Sequence, residues 1–129
     1  MEEEYEIETT EDIEKIVEKS KIFEKIGMGR VESKIFSMLF CMNKPLTGRY
    51  IEKTMDLRQP EISLGTKNLQ ARGWIREVIN QSSGRGRPEK SYELAMKREN
   101  VVEETELSIY EEFKKKRETL RELMKKKEI

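Results

Sequence analysis

The sequence predicts a mainly helical α+β chain in which three short helices and a small β-hairpin lie between two further helices. Three observations lead there. Apolar residues recur at helical spacing in several stretches, most of them closed by glycine or proline. Two β-rich runs, Trp74 to Asn80 and Ser91 to Leu94, flank a turn-rich segment from Gln81 to Lys90. The chain then returns to a charge-dense helical pattern that runs almost to its end.

Residues 1 to about 10 are acidic and aperiodic, the pattern of a frayed arm. From Thr10, a residue suited to capping, Ile13, Ile16, Val17, Phe23 and Ile26 mark a helix that Gly27 and Gly29 break. A second helix, about Arg30 to Met42, carries Val31, Ile35, Leu39 and Met42 on one face, with Phe36 and Phe40 beside it. So wide an apolar face belongs to a central core helix. Asn43-Lys44-Pro45 stops it, and Leu46 offers a very short strand. Thr47 or Gly48 opens a short helix to about Met55, with Ile51 and Met55 facing inward. Its end near Asp56, a few residues before Pro60, pairs it with the next helix as a helix-turn-helix.

The stretch from Leu57 to Ile75 starts, fills and stops that next helix, expected over residues 60–72. Pro60 fits the first turn, where a missing N–H costs nothing, and Gly73 fits just past the end, where a left-handed residue is wanted. With Ile62 at the inner centre, steps of 100° place Thr66 and Leu69 on the same face. Pro60, Leu64, Lys67 and Ala71 then lie opposite, with Glu61, Ser63 and Asn68 on the flanks. A short helix with one buried stripe and an outer face of small and polar side chains suits a DNA major groove. Trp74, at the helix-to-strand junction, reads as core. Three helices followed by a two-stranded hairpin make a winged helix-turn-helix, spanning residues 30–96.

From about Arg98 to near Lys127 the apolar positions are Val102, Ile109, Tyr110, Phe113, Leu120, Leu123 and Met124. A helix of that length spans about 45 Å, more than so small a domain covers. The spacing Ile109, Phe113, Lys116, Leu120, Leu123 forms an imperfect heptad seam. The expectation is a homodimer held by this helix, residues 97–129, helped by the N-terminal segment, residues 1–29.

Composition bounds the rest. Charged residues make up 40 % and apolar ones 35 %, and the mean hydropathy is -0.84, so the core of a single chain is small. Formal charge sums to zero, but it is unevenly spread. Residues 1–19 hold nine acids and two bases, whereas residues 30–98 hold fourteen bases and seven acids. The basic middle is the part that would face phosphate. The lone Cys41 has no disulfide partner, and no signal-peptide pattern or long apolar run is visible, so a cytoplasmic protein with no membrane segment is expected. Cys41, within the apolar run Met38 to Met42, reads as a buried small hydrophobe. With no histidine and one cysteine the usual metal sites are missing, and no nucleophile motif or phosphate loop is recognisable. No enzyme and no cofactor is expected, and nothing specifies an effector ligand.

The stretch Leu57, Gln59-Pro60, Ser63, Leu69 and Gly73-Trp74-Ile75 resembles helix-turn-helix regulators of the ArsR and MarR type. Those families carry leucine, a small residue, Gln-Pro, Ser, a leucine, and Gly, an apolar residue and Ile leading into a strand. The chain departs from them at Gly65 and Thr66, where a larger polar residue and a leucine are usual, and at Glu61, an acid on the expected DNA face. The resemblance implies a dimeric regulator of transcription that binds double-stranded DNA. Arg49, Arg58 and Lys67 are then expected on phosphates, and Gln59, Ser63 and Asn68 at base edges. Leu64 would pack on thymine methyl groups, and Pro60 lies on the same face. Glu61 accepts from a cytosine amino group or pairs with a neighbour such as Arg58. Arg85-Gly86-Arg87-Pro88 resembles the core of the AT-hook, which lies along a narrow A·T minor groove, and Lys90 follows it. The plainer reading is a hairpin tip that needs its glycines for the turn. The competing function is a winged-helix protein-interaction module of the transcription machinery, working through Leu64 and the acidic arm.

Overall fold

The computed structural model describes residues 10–80 and 89–125. The helices are α1 (Thr10–Lys25), α2 (Arg30–Met42), α3 (Gly48–Met55), α4 (Gln59–Ala71) and α5 (Val101–Lys125). Strands β1 (Leu46–Thr47), β2 (Ile75–Asn80) and β3 (Glu89–Leu94) form one antiparallel sheet in the order β1-β3-β2. A single 3-10 turn, Arg98–Asn100, precedes α5. The chain divides into two compact units, residues 1–98 and 99–129. The acidic arm before Thr10, the wing tip 81–88 with Arg85, Gly86 and Arg87, and the end of the chain past Lys125 lie outside the described residues, as does the side chain of Thr10.

In the first unit α2 is the centre. Ile35, Phe36, Met38 and Leu39 are fully buried, and so are Ser33 and Ser37. The apolar face expected of this helix is therefore too narrow. Serines read as polar in sequence, but small side chains let neighbouring helices come close, and α2 is enclosed on nearly all sides. The Phe36 ring meets Phe23 of α1 edge-on at 5.1 Å and Trp74 at 5.4 Å. Trp74 is core, as its position at the junction indicated. Asn43 ends α2 with φ of 52°, and its N–H donates to the Leu39 carbonyl.

The helix-turn-helix is local chemistry. The Thr47 hydroxyl accepts from the Tyr50 N–H at 3.1 Å and caps α3. Ile51 and Met55 face inward, and Asp56, left-handed at φ of 55°, closes α3. In α4 the buried residues are Ile62, Gly65, Thr66 and Leu69. Its end carries both hydrogen bonds of a Schellman motif, Trp74 N–H to Leu69 O at 3.1 Å and Gly73 N–H to Gln70 O at 2.9 Å. Gly73 sits at φ of 79°, so Gly73→Ala is expected to cost about 1 kcal/mol in thermal unfolding.

Gly65, one of the departures from the regulator pattern, has a packing reason. A Cβ built there would lie 2.7 Å from Ile35 Cδ1 and 3.0 Å from Val31 Cγ1. The missing side chain lets α4 seat directly on α2. Gly65→Leu is expected to destabilise by roughly 2–3 kcal/mol, despite the better helix propensity of leucine, because the gap is already closed. Denaturant unfolding measures it.

Four expectations need correction. Ile26 falls beyond α1 and is exposed, because the chain leaves the helix at Lys25 for a turn through Gly27. The third strand starts at Glu89, not Ser91; Ile79 pairs with Lys90 and Asn80 with Glu89, the sheet ladder overriding the weak β propensity of Glu and Lys. Helix α4 begins at Gln59 and ends at Ala71, with Arg72 as its C-cap. Cys41 is half-buried rather than buried, beside a cleft lined by Lys19 and Arg98. Burial raises its thiol pKa, and those two cations pull it part of the way back.

The second unit is essentially α5. Val102, Phe113, Leu120 and Leu123 are 57–73 % exposed, and Tyr110 and Met124 are exposed as well, whereas Ile109 is half-buried.

Candidate nucleic-acid interface

The outer face of α4 is free because its inner face is so tightly held. Gln59, Ser63, Leu64 and Lys67 are exposed, and their side chains make no hydrogen bond or ion pair with other described residues. Leu64, 61 % exposed, stands at the centre of this face. Pro60 shares it.

Beside this face lies a cleft of about 520 Å³ between α3, α4 and the hairpin. Thr47 and Arg49 line it from the start of α3, Gln59, Ser63, Lys67 and Gln70 from α4, and Glu77, Lys90 and Tyr92 from the strands. Arg49 and Lys67 are cations without an ion-pair partner among the described residues. Lys90, expected on the wing tip, is instead in β3, with Nζ 3.9 Å from the Glu77 carboxylate. Gln70 and Tyr92 were not picked out as interface residues in the sequence. The signal for Gln70 was present, since it follows Lys67 by three and Ser63 by seven, the spacing of one helix face.

The opposite flank of α4 is occupied. Glu61 Oε1 accepts from the Arg58 N–H at 2.9 Å, half of a capping box, and Oε2 pairs with the Arg30 guanidinium of α2 at 3.3 Å. Asn68 Nδ2 donates to Glu32 Oε2, also of α2, at 2.7 Å. Of the two alternatives for Glu61, the intramolecular one is present, although the cation paired is Arg30 and Arg58 offers its backbone. The residues expected on this helix thus separate into two sets. Gln59, Pro60, Ser63, Leu64 and Lys67 face outward or toward the cleft, whereas Glu61 and Asn68 are tied to α2. Arg58, exposed at the N-cap, and Arg49 flank the first set.

The Arg58 hydrogen bond, assisted by Arg30, Arg58 and Lys34, holds the Glu61 carboxyl below the usual glutamate range. A pKa lower in the folded state means the contribution is present above the unfolded value and lost as pH falls through the folded one. Glu61→Ala is therefore expected to lower the melting temperature at neutral pH, and the gap to the parent should close as pH falls below the usual glutamate range. A gap that stays constant across that range would show that the carboxylate charge has no part in the cap.

Among the described residues no group of three or more His, Cys, Asp or Glu side chains could hold a metal ion. No described helix is long and apolar enough to cross a membrane.

No protein-family model matches the chain, and no curated protein matches it. Solved structures do. The crystal structure of the S. aureus MepR–DNA complex is similar over 90 % of each chain, with TM-score 0.51 and 18 % identity. A MepR mutant from a multidrug-resistant S. aureus clinical isolate is similar over 91 % of this chain and 84 % of its own, with TM-score 0.50 and 17 % identity. The mostly helical chain with its small three-stranded antiparallel sheet thus has a winged-helix fold similar to that of MepR, a MarR-family winged-helix transcriptional regulator.

Proposed function

We propose that this chain is a sequence-specific double-stranded DNA-binding regulator of transcription that works as a homodimer in the cytoplasm. The observation that carries this reading is the outer face of α4, where Gln59, Ser63, Leu64 and Lys67 stand exposed without partners beside a cleft containing Arg49. In this reading α4 enters the major groove. Lys67, Arg49 and Arg58 neutralise phosphates, Gln59 and Ser63 meet base edges, and Leu64 packs on thymine methyl groups. Arg85, Gly86 and Arg87 reach an adjoining minor groove, with Lys90 at the base of the wing. Asn68 and Glu61 position the helix rather than read bases, since α2 and the cap hold them. MepR, a fold neighbour, has been crystallised with DNA, which supports the same use here. Recognition and binding carry this role, with no catalytic group and no cofactor.

Fluorescence anisotropy on a duplex that the chain selects from a random pool tests it. Lys67→Ala and Arg85→Ala should weaken binding and flatten the dependence of log K on log salt by about one unit each. Gln59→Ala and Ser63→Ala should instead relax base preference. Affinity and salt slope unchanged in both charge variants would overturn this set of contacts. Exposed Leu64 also favours a second reading, a protein-docking face on the transcription machinery; capture of duplex DNA by the wild-type chain separates the two.

A further inference from the structure

Glu106 and Lys116 interrupt the apolar stripe of α5, and their positions restrict how two such helices can pair. At 100° per residue Val102, Glu106, Ile109, Phe113, Lys116, Leu120 and Leu123 fall within a stripe about 100° wide and about 32 Å long. In heptad terms 102, 109, 116 and 123 are d positions, and 106, 113 and 120 are a positions. Neither Glu106 nor Lys116 has an ion-pair partner among the described residues. Four of its apolar side chains, Val102, Phe113, Leu120 and Leu123, are 57–73 % exposed, which calls for a cover, and a second copy of this chain supplies a matching one.

The two charges choose the orientation. A parallel pair sets a against a and d against d, so Glu106 meets the partner's Glu106 and Lys116 meets the partner's Lys116. Both layers are then repulsive. An antiparallel pair sets a against d. With the two-fold axis level with Glu111, Val102 faces the partner's Leu120, Ile109 faces the partner's Phe113, and Glu106 faces the partner's Lys116. Shifting that register by one heptad either way sets Glu106 against the partner's Leu123 or the partner's Ile109, leaving a carboxylate against apolar side chains. At the rim Arg117 gains the partner's Glu103 in the antiparallel pair and the partner's Glu112 in the parallel one, while the antiparallel pair also sets Glu112 near the partner's Glu112. The exposed rim is worth less than the core layers, so those layers decide the orientation.

We propose that two copies pair through α5 as an antiparallel coiled coil centred on Glu111, with two Glu106–Lys116 layers fixing the register. This rests on the homodimer of the preceding reading. Electron–electron distance measurement tests it, on Lys125→Cys in a Cys41→Ser background, spin-labelled on the outer face. The antiparallel register separates the two labels by about 42 Å along the axis, whereas a parallel pair brings them within about 20 Å. In sedimentation equilibrium, Lys116→Glu should weaken the dimer on the order of tenfold or more, and Glu106→Lys combined with Lys116→Glu should restore it. A monomer at tens of micromolar would overturn the homodimer and this register together. A dimer whose labels lie within about 20 Å, or whose dissociation constant ignores Lys116→Glu, would overturn the register alone.

Discussion

Leu64→Asp is expected to leave the fold intact and to reduce DNA affinity on the order of a hundredfold. The side chain is 61 % exposed on the outer face of α4, so the folded domain loses almost no packing and the melting temperature should move little. In the proposed complex the same position would lie at the centre of the face presented to the groove. There a carboxylate loses the apolar contact with thymine methyl groups and is held among phosphates, with both effects acting in the same direction. Leu64→Ala removes only the first and should cost roughly tenfold. Anisotropy titrations alongside melting curves check the pair, and equal losses for Ala and Asp would argue against close approach of this face to the phosphate backbone.

The second large effect is on stability. Phe36→Ala empties the centre of α2, where the ring is fully buried and touches both Phe23 and Trp74. A buried aromatic truncated to alanine costs about 3–5 kcal/mol. A unit of this size has a total stability of about 5–10 kcal/mol. The melting temperature should therefore fall by roughly 15 °C or more, and DNA binding should fall with it, since α4 is seated on α2 through Gly65. Circular dichroism melts give the answer directly.

How much of this was legible in the sequence varies by element. Helix bounds came close because punctuation is local: Pro60, Gly73, Asn43 and Thr47 each act on their own backbone, and each appears in the role its chemistry dictates. What lay beyond the sequence depends on a second element. The burial of Ser33 and Ser37 is decided by the helices around α2, and the extension of β3 to Glu89 by its pairing with Asn80. In the candidate interface, periodicity separated the outer from the inner face of α4, with Leu64 out and Ile62 in. It could not tell that Asn68 and Glu61 would be held by Glu32 and Arg30, because those partners lie 36 and 31 residues away. Gly65 looked like a departure from a known pattern until its contacts with Ile35 and Val31 supplied the reason.

The measurement that bears most directly on the central claim is selection of the wild-type chain on a pool of random duplexes at two salt concentrations, with the retained fraction sequenced. The expected result is an enriched inverted repeat with an A·T-rich flank, its retention falling as salt rises. No retention at either salt would contradict DNA binding and turn attention to the protein-docking reading of Leu64. Retention without enrichment would contradict sequence specificity.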